Sequence, residues 1–308
     1  MDKVTVLLST YNGQAYLREL LDSVFAQKNV IASIVIRDDG SSDNTVDIIE
    51  EYISNGYDIT LLKESNVGAT RSFHLLTQYV YGQKEKTPFY AYCDQDDIWN
   101  PDKLNVAVDK LRALSEDLPN MYFSNLILYD GKTIRNELAF DVPCNFEPQK
   151  KAFARVFTYG CTCVFNQEAL KTISLAGGEN KIYHDNWLFE VCAFLGNTVF
   201  DQSSYILYRQ HSNNVSGEIK KGVSLFKYRL YKLFHIKGQG HQFEEIAIQI
   251  LNLYSDKLKE SDKIFLTHVS RYRHNIKSKF ILLFSQRTCA EEFVKTICVK
   301  GRILLNHY

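Results

Sequence analysis

The chain has no Gly-x-Gly-x-x-Gly after its first strand-like run, no Gly-x-x-x-x-Gly-Lys-Ser/Thr and no Gly-x-Ser-x-Gly. Those absences argue against a dinucleotide-dependent enzyme, a P-loop NTPase and a serine-elbow hydrolase. Seven cysteines, an odd number without any Cys-x-x-Cys pair, argue against a disulfide framework or a zinc ribbon. Cys161 and Cys163 alternate inside an apolar run and read as packed core thiols. No uncharged stretch approaches the roughly 20 residues needed to cross a bilayer. Met1-Asp2-Lys3 leads straight into a short apolar run rather than a signal peptide, so a cytoplasmic protein is expected.

Net charge is absent too, but the balance is uneven. Residues 220–308 carry 17 Lys/Arg against 7 Asp/Glu, whereas residues 1–219 carry 19 against 29. Such a split suggests two regions with different tasks. Apolar residues make up 45% and charged residues 23%, ordinary for a globular protein. A chain of 308 residues can hold one large domain with an appendage, or two domains.

What is present centres on Tyr92-Cys93-Asp94-Gln95-Asp96-Asp97-Ile98-Trp99. The apolar run Pro88 to Tyr92 before it reads as a buried strand. Pro101 after it stands where a helix would open, with Leu104, Ala107, Val108 and Leu111 at helical spacing. Three carboxylates thus crowd a strand's C-terminal end, where open α/β sheets bind ligands. They repel one another unless a cation or hydrogen-bond donors compensate them, and oxygen ligands suit Mg²⁺ or Mn²⁺. The competing reading is that Asp97 and its neighbours only cap the following helix.

Upstream, Val4 to Leu8 suits a strand buried on both faces and ends at the turn-rich Ser9 to Gly13. Tyr16, Leu17, Leu20, Leu21, Val24 and Phe25 mark an amphipathic helix. A second strand, Ile31 to Arg37, ends at Asp38-Asp39-Gly40-Ser41-Ser42-Asp43, where Ser42 or Asp43 can cap the next helix. Ile59 to Leu62 is a third strand, with a helix from about Thr70 to Tyr81 after the turn Asn66-Val67-Gly68. This alternation predicts a doubly wound, mostly parallel α/β sheet. Right-handed crossovers should bring Thr10-Tyr11, Asp38-Asp39, Asn66 to Arg71 and Asp94 to Asp97 to one edge.

Val4 to Asn12, Asp38 to Asp43 and Asp94 to Trp99, in that order, resemble inverting glycosyltransferases of family 2 with the GT-A nucleotide-sugar fold. Within that family, Asp94 to Trp99, His184 to Trp187 and Tyr208 to Asn214 resemble bacterial rhamnosyltransferases that build cell-surface polysaccharides. The resemblance covers roughly residues 1–217, with residues 218–308 as a basic, mainly helical C-terminal region. It implies a nucleotide-sugar donor, dTDP-β-L-rhamnose first and a UDP-hexose or UDP-N-acetylhexosamine second. It also implies a divalent metal, a saccharide or lipid-linked saccharide acceptor, and no nucleic-acid partner.

Residue by residue, it implies that Thr10, Tyr11, Asn12, Asp39, Asp94 and Gln95 bind the nucleotide sugar, Tyr11 by stacking on the base and Asp39 by accepting from its ring N–H. Asp96 and His211 would hold the metal. Arg71, near a helix start, could pair with phosphate. Asp185 would be the base that deprotonates the acceptor hydroxyl, and a helix-start Asp can equally be an N-cap. Trp99, His184 and Trp187 would line the acceptor and sugar pocket, although packing is the commoner fate of Trp. Tyr159 to Phe165 reads as a strand on the acceptor side, and Leu188 to Leu195 as a helix.

The tail reads as helices around Leu225 to Leu233, Ile246 to Leu253, Phe280 to Phe284 and Phe293 to Leu305. Phe226 to Lys232 interleaves basic and aromatic residues, which fits an anionic membrane surface, a homo-oligomer contact or a solvated face. A nucleotidylyltransferase would want a basic Gly-rich loop after the first strand, and Ser9 to Gly13 has no basic residue. A non-catalytic nucleotide-sugar-binding module would lack the late acid and metal groups, yet Asp96, Asp185 and His211 are all there.

Overall fold

The computed structural model describes residues 1–138, 147–154, 158–175, 182–211 and 241–308. The chain forms two compact units, one of residues 1–144, 158–192 and 196–210, the other of 145–157, 193–195 and 211–308. The second unit thus also takes in two short segments from within the first 217 residues.

The first unit is built on a nine-stranded sheet. Strand β1 (Asp2–Thr10) is continuous in apolar residues, and Val4, Val6, Leu7 and Leu8 are fully buried between parallel neighbours. The chain then steps outward through α1 (Leu17–Phe25), β2 (Val30–Asp38), α2 (Thr45–Ser54) and β3 (Ile59–Lys63). After α3 (Ala69–Gly82) it returns to the far side of β1 as β4 (Phe89–Cys93), giving the parallel order β3-β2-β1-β4. The direction of winding therefore reverses between β1 and β4. At such a switch point the loops leaving the two strands part, and open α/β sheets bind ligands there.

Beyond β4 the sheet becomes mixed. The order continues β8 (Val164–Asn166), β6 (Asn120–Tyr129), β9 (Asn197–Arg209) and β5 (Ile98–Trp99), with β7 (Ile134–Leu138) pairing β6 on the side. Strand β5 pairs antiparallel with β9, Ile98 opposite Leu207 and Trp99 opposite Ile206. The acidic stretch therefore runs from the middle of the sheet to its edge.

Three expectations are corrected here. The helix expected at Pro101 starts at Lys103 as α4 (Lys103–Arg112), because Asn100 takes the Asp102 and Lys103 amides on its side-chain and backbone oxygens, each at 3.0 Å. Of the strand expected over Tyr159 to Phe165, only the end joins the sheet; Gly160–Thr162 is a tight 3₁₀ turn closed by Thr162 N–H to the Tyr159 carbonyl at 2.9 Å. Alternating apolar residues look the same in a buried turn as in a strand. The helix expected at Leu188 begins at His184, as α6 (His184–Leu195), after α5 (Gln167–Ser174).

In the second unit, α7 (Gln242–Tyr254), α8 (Glu260–Val269), α9 (Ile276–Phe284) and α10 (Phe293–Leu304) carry an aromatic core. Phe153, fully buried, meets Phe194, Phe243 and Phe265 at ring distances of 5.4, 5.1 and 5.7 Å. Arg287 lies 4.2 Å above the Phe265 ring, and Arg273 pairs with the buried Glu244 at 2.6 Å. Helix α8 was not foreseen, while α7, α9 and α10 fall where the sequence placed helices. The basic-aromatic run Phe226 to Lys232, the helix expected around it and Ser212 to Asn214 lie outside the described residues. No helix among the described residues is long and apolar enough to cross a membrane.

Candidate active site

The first half of the site is the pair of loops after β1 and β2. Asp38 gathers them: it accepts from the Thr10 hydroxyl at 3.0 Å, the Ser41 N–H at 2.9 Å and the Ser41 hydroxyl at 2.5 Å. Asn12, at a positive φ of 49°, accepts the Ser42 N–H on its side chain and donates its own N–H to the Ser41 hydroxyl. Asp43 caps the start of α2 from outside, taking the Thr45 N–H at 3.0 Å and the Thr45 hydroxyl at 2.5 Å. Polar residues of the loops thus satisfy one another. Tyr11 is left about half exposed at 49% on this framework, an open aromatic face.

The loop after β4 is tied to the loop after β1 by one side chain. Gln95 accepts the Tyr11 N–H at 2.9 Å and donates to the Tyr11 carbonyl at 3.0 Å. A Cβ on Gly13 would collide with that carboxamide, so glycine is required for the approach. The convergence expected from the crossovers is therefore present for Thr10-Tyr11, Asp38-Asp39 and Gln95.

Asp39, expected at the nucleobase, is held inside the fold by its own contacts. It is 2% exposed and ion-paired with the equally buried Arg37. Its oxygens also accept the Val67 N–H at 3.0 and 3.1 Å and the Gly68 N–H at 2.9 Å. Each oxygen already takes two hydrogen bonds, the usual capacity of a carboxylate oxygen. The carboxylate is spent on holding the 65–68 loop, which Arg37 also anchors through the Ser65 carbonyl at 3.1 Å. Thr10 is likewise buried with its hydroxyl spent on Asp38. Arg71 is exposed in the first turn of α3.

At the centre stand the carboxylates. Asp94 is pushed up by burial and then by the charges of Asp96 and Asp185. Asp97, 1% exposed, is pushed up further by burial and then by Asp96 and Asp94. One Asp97 oxygen accepts the Arg209 N–H at 3.0 Å, while the other has no hydrogen-bond partner among the described residues. Asp97 thus binds β9 and does not cap α4, which sets the capping alternative aside. Asp94, Asp97 and Cys161 bring one potential ligand atom each within 4.8 Å of one another. Crowded carboxylates with an unsatisfied buried oxygen fit a divalent cation, whereas the thiol is a poor ligand for Mg²⁺. Asp96 is not in that group, and His211 follows β9 in the second unit.

Beneath the turn lies a residue whose role composition did not suggest. Lys103 is 1% exposed, with its Nζ 3.5 Å from the centre of the Trp99 ring and no hydrogen-bond partner among the described residues. Burial pulls it down to about 8, against the charges of Cys93, Cys161, Cys163 and Asp97. The signal was available: Lys103 shares a helical stripe with Ala107 and Leu111, where a lysine is out of place.

Asp185 lies in the first turn of α6, where Tyr183 is the N-cap. Its carboxylate accepts the Asn186 N–H at 2.8 Å. Burial pushes it up to about 6, against the downward pull of the Asn186, Asp185 and Gly160 backbone amides. That value leaves it ionised near neutral pH yet basic enough to take a proton, the requirement for a general base.

Of the three residues expected to line a sugar pocket, Trp99 and Trp187 are core residues and His184 is partly buried. Trp187 is fully buried and its indole N–H donates to the Ile173 carbonyl at 3.1 Å. Trp99 is 2% exposed under Lys103. The His184 ring stacks on Phe73 at 3.9 Å and meets the edge of Tyr92 at 4.6 Å, with neither nitrogen hydrogen-bonded among the described residues. Burial, then His74, holds His184 well below the usual histidine range, hence neutral. Gly160 makes room for it, since a Cβ there would sit 2.5 Å from Nε2.

The chain is similar to known proteins. The dTDP-rhamnosyl transferase RfbG of Shigella flexneri is 33% identical over 259 residues, 81% of this chain and 85% of its own. An uncharacterised glycosyltransferase of Rickettsia typhi is 26% identical, covering 80% of this chain and 79% of its own. Among solved structures, S. aureus TarS (residues 1–349) aligns over 92% of this chain and 76% of its own, with a TM-score of 0.56 at 18% identity. A mannosyltransferase of Pyrobaculum calidifontis, in complex with GDP-Man and Mn²⁺, aligns over 99% and 86%, with a TM-score of 0.56 at 13% identity. These structures share the fold, a GT-A-like sheet followed by helices. Residues 5–174, from β1 to the end of α5, match the glycosyl transferase family 2 profile. The loops of β1, β2 and β4 that build the site all lie inside that span, and the chain is a glycosyltransferase belonging to family 2.

Proposed function

We propose that this glycosyltransferase is inverting and metal-dependent, and transfers L-rhamnose from dTDP-β-L-rhamnose to a lipid-linked saccharide acceptor in cell-surface polysaccharide synthesis. The observation that carries the reaction class is the acidic turn Asp94–Asp97 at the switch point between β1 and β4, tied to Tyr11 through Gln95. The donor is argued from the likeness to a protein named for dTDP-rhamnosyl transfer, which extends over four-fifths of the chain.

In this reading the exposed Tyr11 ring stacks on the base, with Asn12 and Gln95 shaping its loop and Arg71 reaching a phosphate. Asp96, in the same turn as Asp94 and Asp97, would hold Mn²⁺ or Mg²⁺, with His211 as the further ligand that the family resemblance implies. When bound, such a cation would supply charge neutralisation for the diphosphate leaving group. Asp185 accepts the proton of the acceptor hydroxyl as its oxygen bonds to the anomeric carbon and the bond to the diphosphate breaks. One displacement without an enzyme nucleophile inverts the configuration, so a β-linked donor yields an α-linked rhamnoside. The basic residues of 220–308 hold the protein at an anionic membrane surface, where a lipid-linked acceptor resides.

Incubation with dTDP-rhamnose, UDP-glucose, UDP-N-acetylglucosamine and GDP-mannose, each with Mn²⁺ or Mg²⁺, tests the donor by release of nucleoside diphosphate. Turnover is expected with dTDP-rhamnose. A clearly faster reaction with a UDP-sugar would overturn the donor while leaving the reaction class.

A further inference from the structure

We propose that Arg209, at the end of β9, is a positioning residue that fixes the acidic turn for donor binding; this rests on the reading of that turn as the donor site. The observation is a set of contacts converging on one residue. The Arg209 backbone N–H donates to an Asp97 carboxylate oxygen at 3.0 Å. Its Nε–H donates to the Asp96 carbonyl at 2.8 Å. Its terminal nitrogen pairs with Glu19 of α1, and the guanidinium lies 4.6 Å from the Tyr16 ring and 4.8 Å from the Tyr129 ring. The residue is 5% exposed, so its contacts with the acidic turn are made away from bulk water, whereas the Glu19 side chain that it pairs with is about half exposed at 53%.

The consequence is geometric. Holding the Asp96 carbonyl fixes the peptide plane between Asp96 and Asp97, and with it the direction in which both side chains leave the backbone. The other end of the turn is held by Gln95 on Tyr11. Arg209 reaches Glu19 and Tyr16 at the start of α1, the helix that follows the Tyr11 loop. One guanidinium thus sets the distance between the two halves of the donor site. Only a planar fork can do this: its Nε–H and terminal N–H groups point to the carbonyl and the carboxylate at once. A lysine would keep the charge opposite Glu19 and lose the carbonyl.

The test compares Arg209→Lys with Glu19→Gln, which breaks the ion pair and leaves the Nε bond. Hydrogen–deuterium exchange on the unliganded protein reads the amides of 94–99. Arg209→Lys is expected to speed their exchange at least about tenfold, and Glu19→Gln less than a third as much. In steady-state assays Arg209→Lys should raise the donor KM about tenfold with kcat within about threefold, since the base Asp185 is not held by this contact. Wild-type exchange and KM in Arg209→Lys would overturn the proposal. So would a fall in kcat alone, or a Glu19→Gln variant matching Arg209→Lys. Absence of turnover by the wild type with every donor would instead refute the functional reading, while the exchange experiment still decides whether Arg209 holds the turn.

Discussion

Replacing Asp185 with Asn should make the enzyme slower and the protein more stable. The carboxyl is pushed up to about 6 from the ordinary 3.8, chiefly by burial. Between those values the folded form keeps a proton that the unfolded chain has released, so stability falls as pH rises through the window and stays lower above it. About two pH units at about 1.4 kcal/mol each give an upper bound of about 3 kcal/mol lost by pH 7. Asn carries no charge to bury and can still accept the Asn186 N–H, so up to about that much should return in Asp185→Asn at pH 7 and little at pH 3.5. Catalysis moves the other way. A base with a pKa near 6 is about 90% ionised at pH 7 and about 10% at pH 5, so wild-type kcat/KM should fall about tenfold between them. Asp185→Asn should lose about 10²–10⁴-fold in kcat at pH 7 with donor KM nearly unchanged, and its residual activity should lack that acid limb. Urea unfolding at the two pH values and a pH–rate profile are the assays. Near-wild-type turnover in Asp185→Asn, a product of retained configuration, or an acid limb that survives the substitution would refute the reasoning.

Four further expectations follow from the same structure. Asp96→Asn should abolish metal-dependent binding of dTDP, read by calorimetric titration with Mn²⁺, and unchanged affinity would refute its place at the metal. Gly13→Ala should push the Gln95 carboxamide off Tyr11, costing about 0.5–1.5 kcal/mol for each hydrogen bond lost and weakening nucleotide binding, both measurable by thermal shift with and without dTDP. Trp187→Phe should cost about 1–3 kcal/mol through the lost Ile173 hydrogen bond and a small cavity, with donor and acceptor KM unchanged; a large KM effect would restore Trp187 to the sugar pocket. Sedimentation with vesicles should retain the protein on anionic lipid at low salt and release it at high salt, and failure to bind would move the basic tail to a subunit contact.

The first four strands were legible because a parallel βα alternation writes buried strands as apolar runs and their exits as polar turns. The same signal located Tyr11, Asp38 and the acidic stretch. It failed where residue type decides nothing without neighbours. Trp99, Trp187 and His184 have the chemistry of sugar platforms, and only packing shows them spent on Lys103, Ile173 and Phe73. Asp39 looks like any loop carboxylate until Arg37 and the 67–68 amides are seen to fill its oxygens. Arg209 and the acidic turn lie 112 residues apart in the Asp97 contact, a pairing made by the two-residue strand β5. No periodicity announces a strand that short.

Strand β5 has a thermodynamic consequence. With one end of the acidic turn in β4, the other in the ladder with β9, and Gln95 and Arg209 bonded between them, the backbone of 94–99 has little freedom left to lose. Fixing a free residue costs roughly 1–2 kcal/mol, so a loop of this length ordered by its ligand would give up several kcal/mol of affinity. Here that cost falls on folding. Nucleotide binding should therefore show a small unfavourable entropy and a heat-capacity change no larger than the contact area requires. Loops that do tighten around the donor must be sought elsewhere than in this turn.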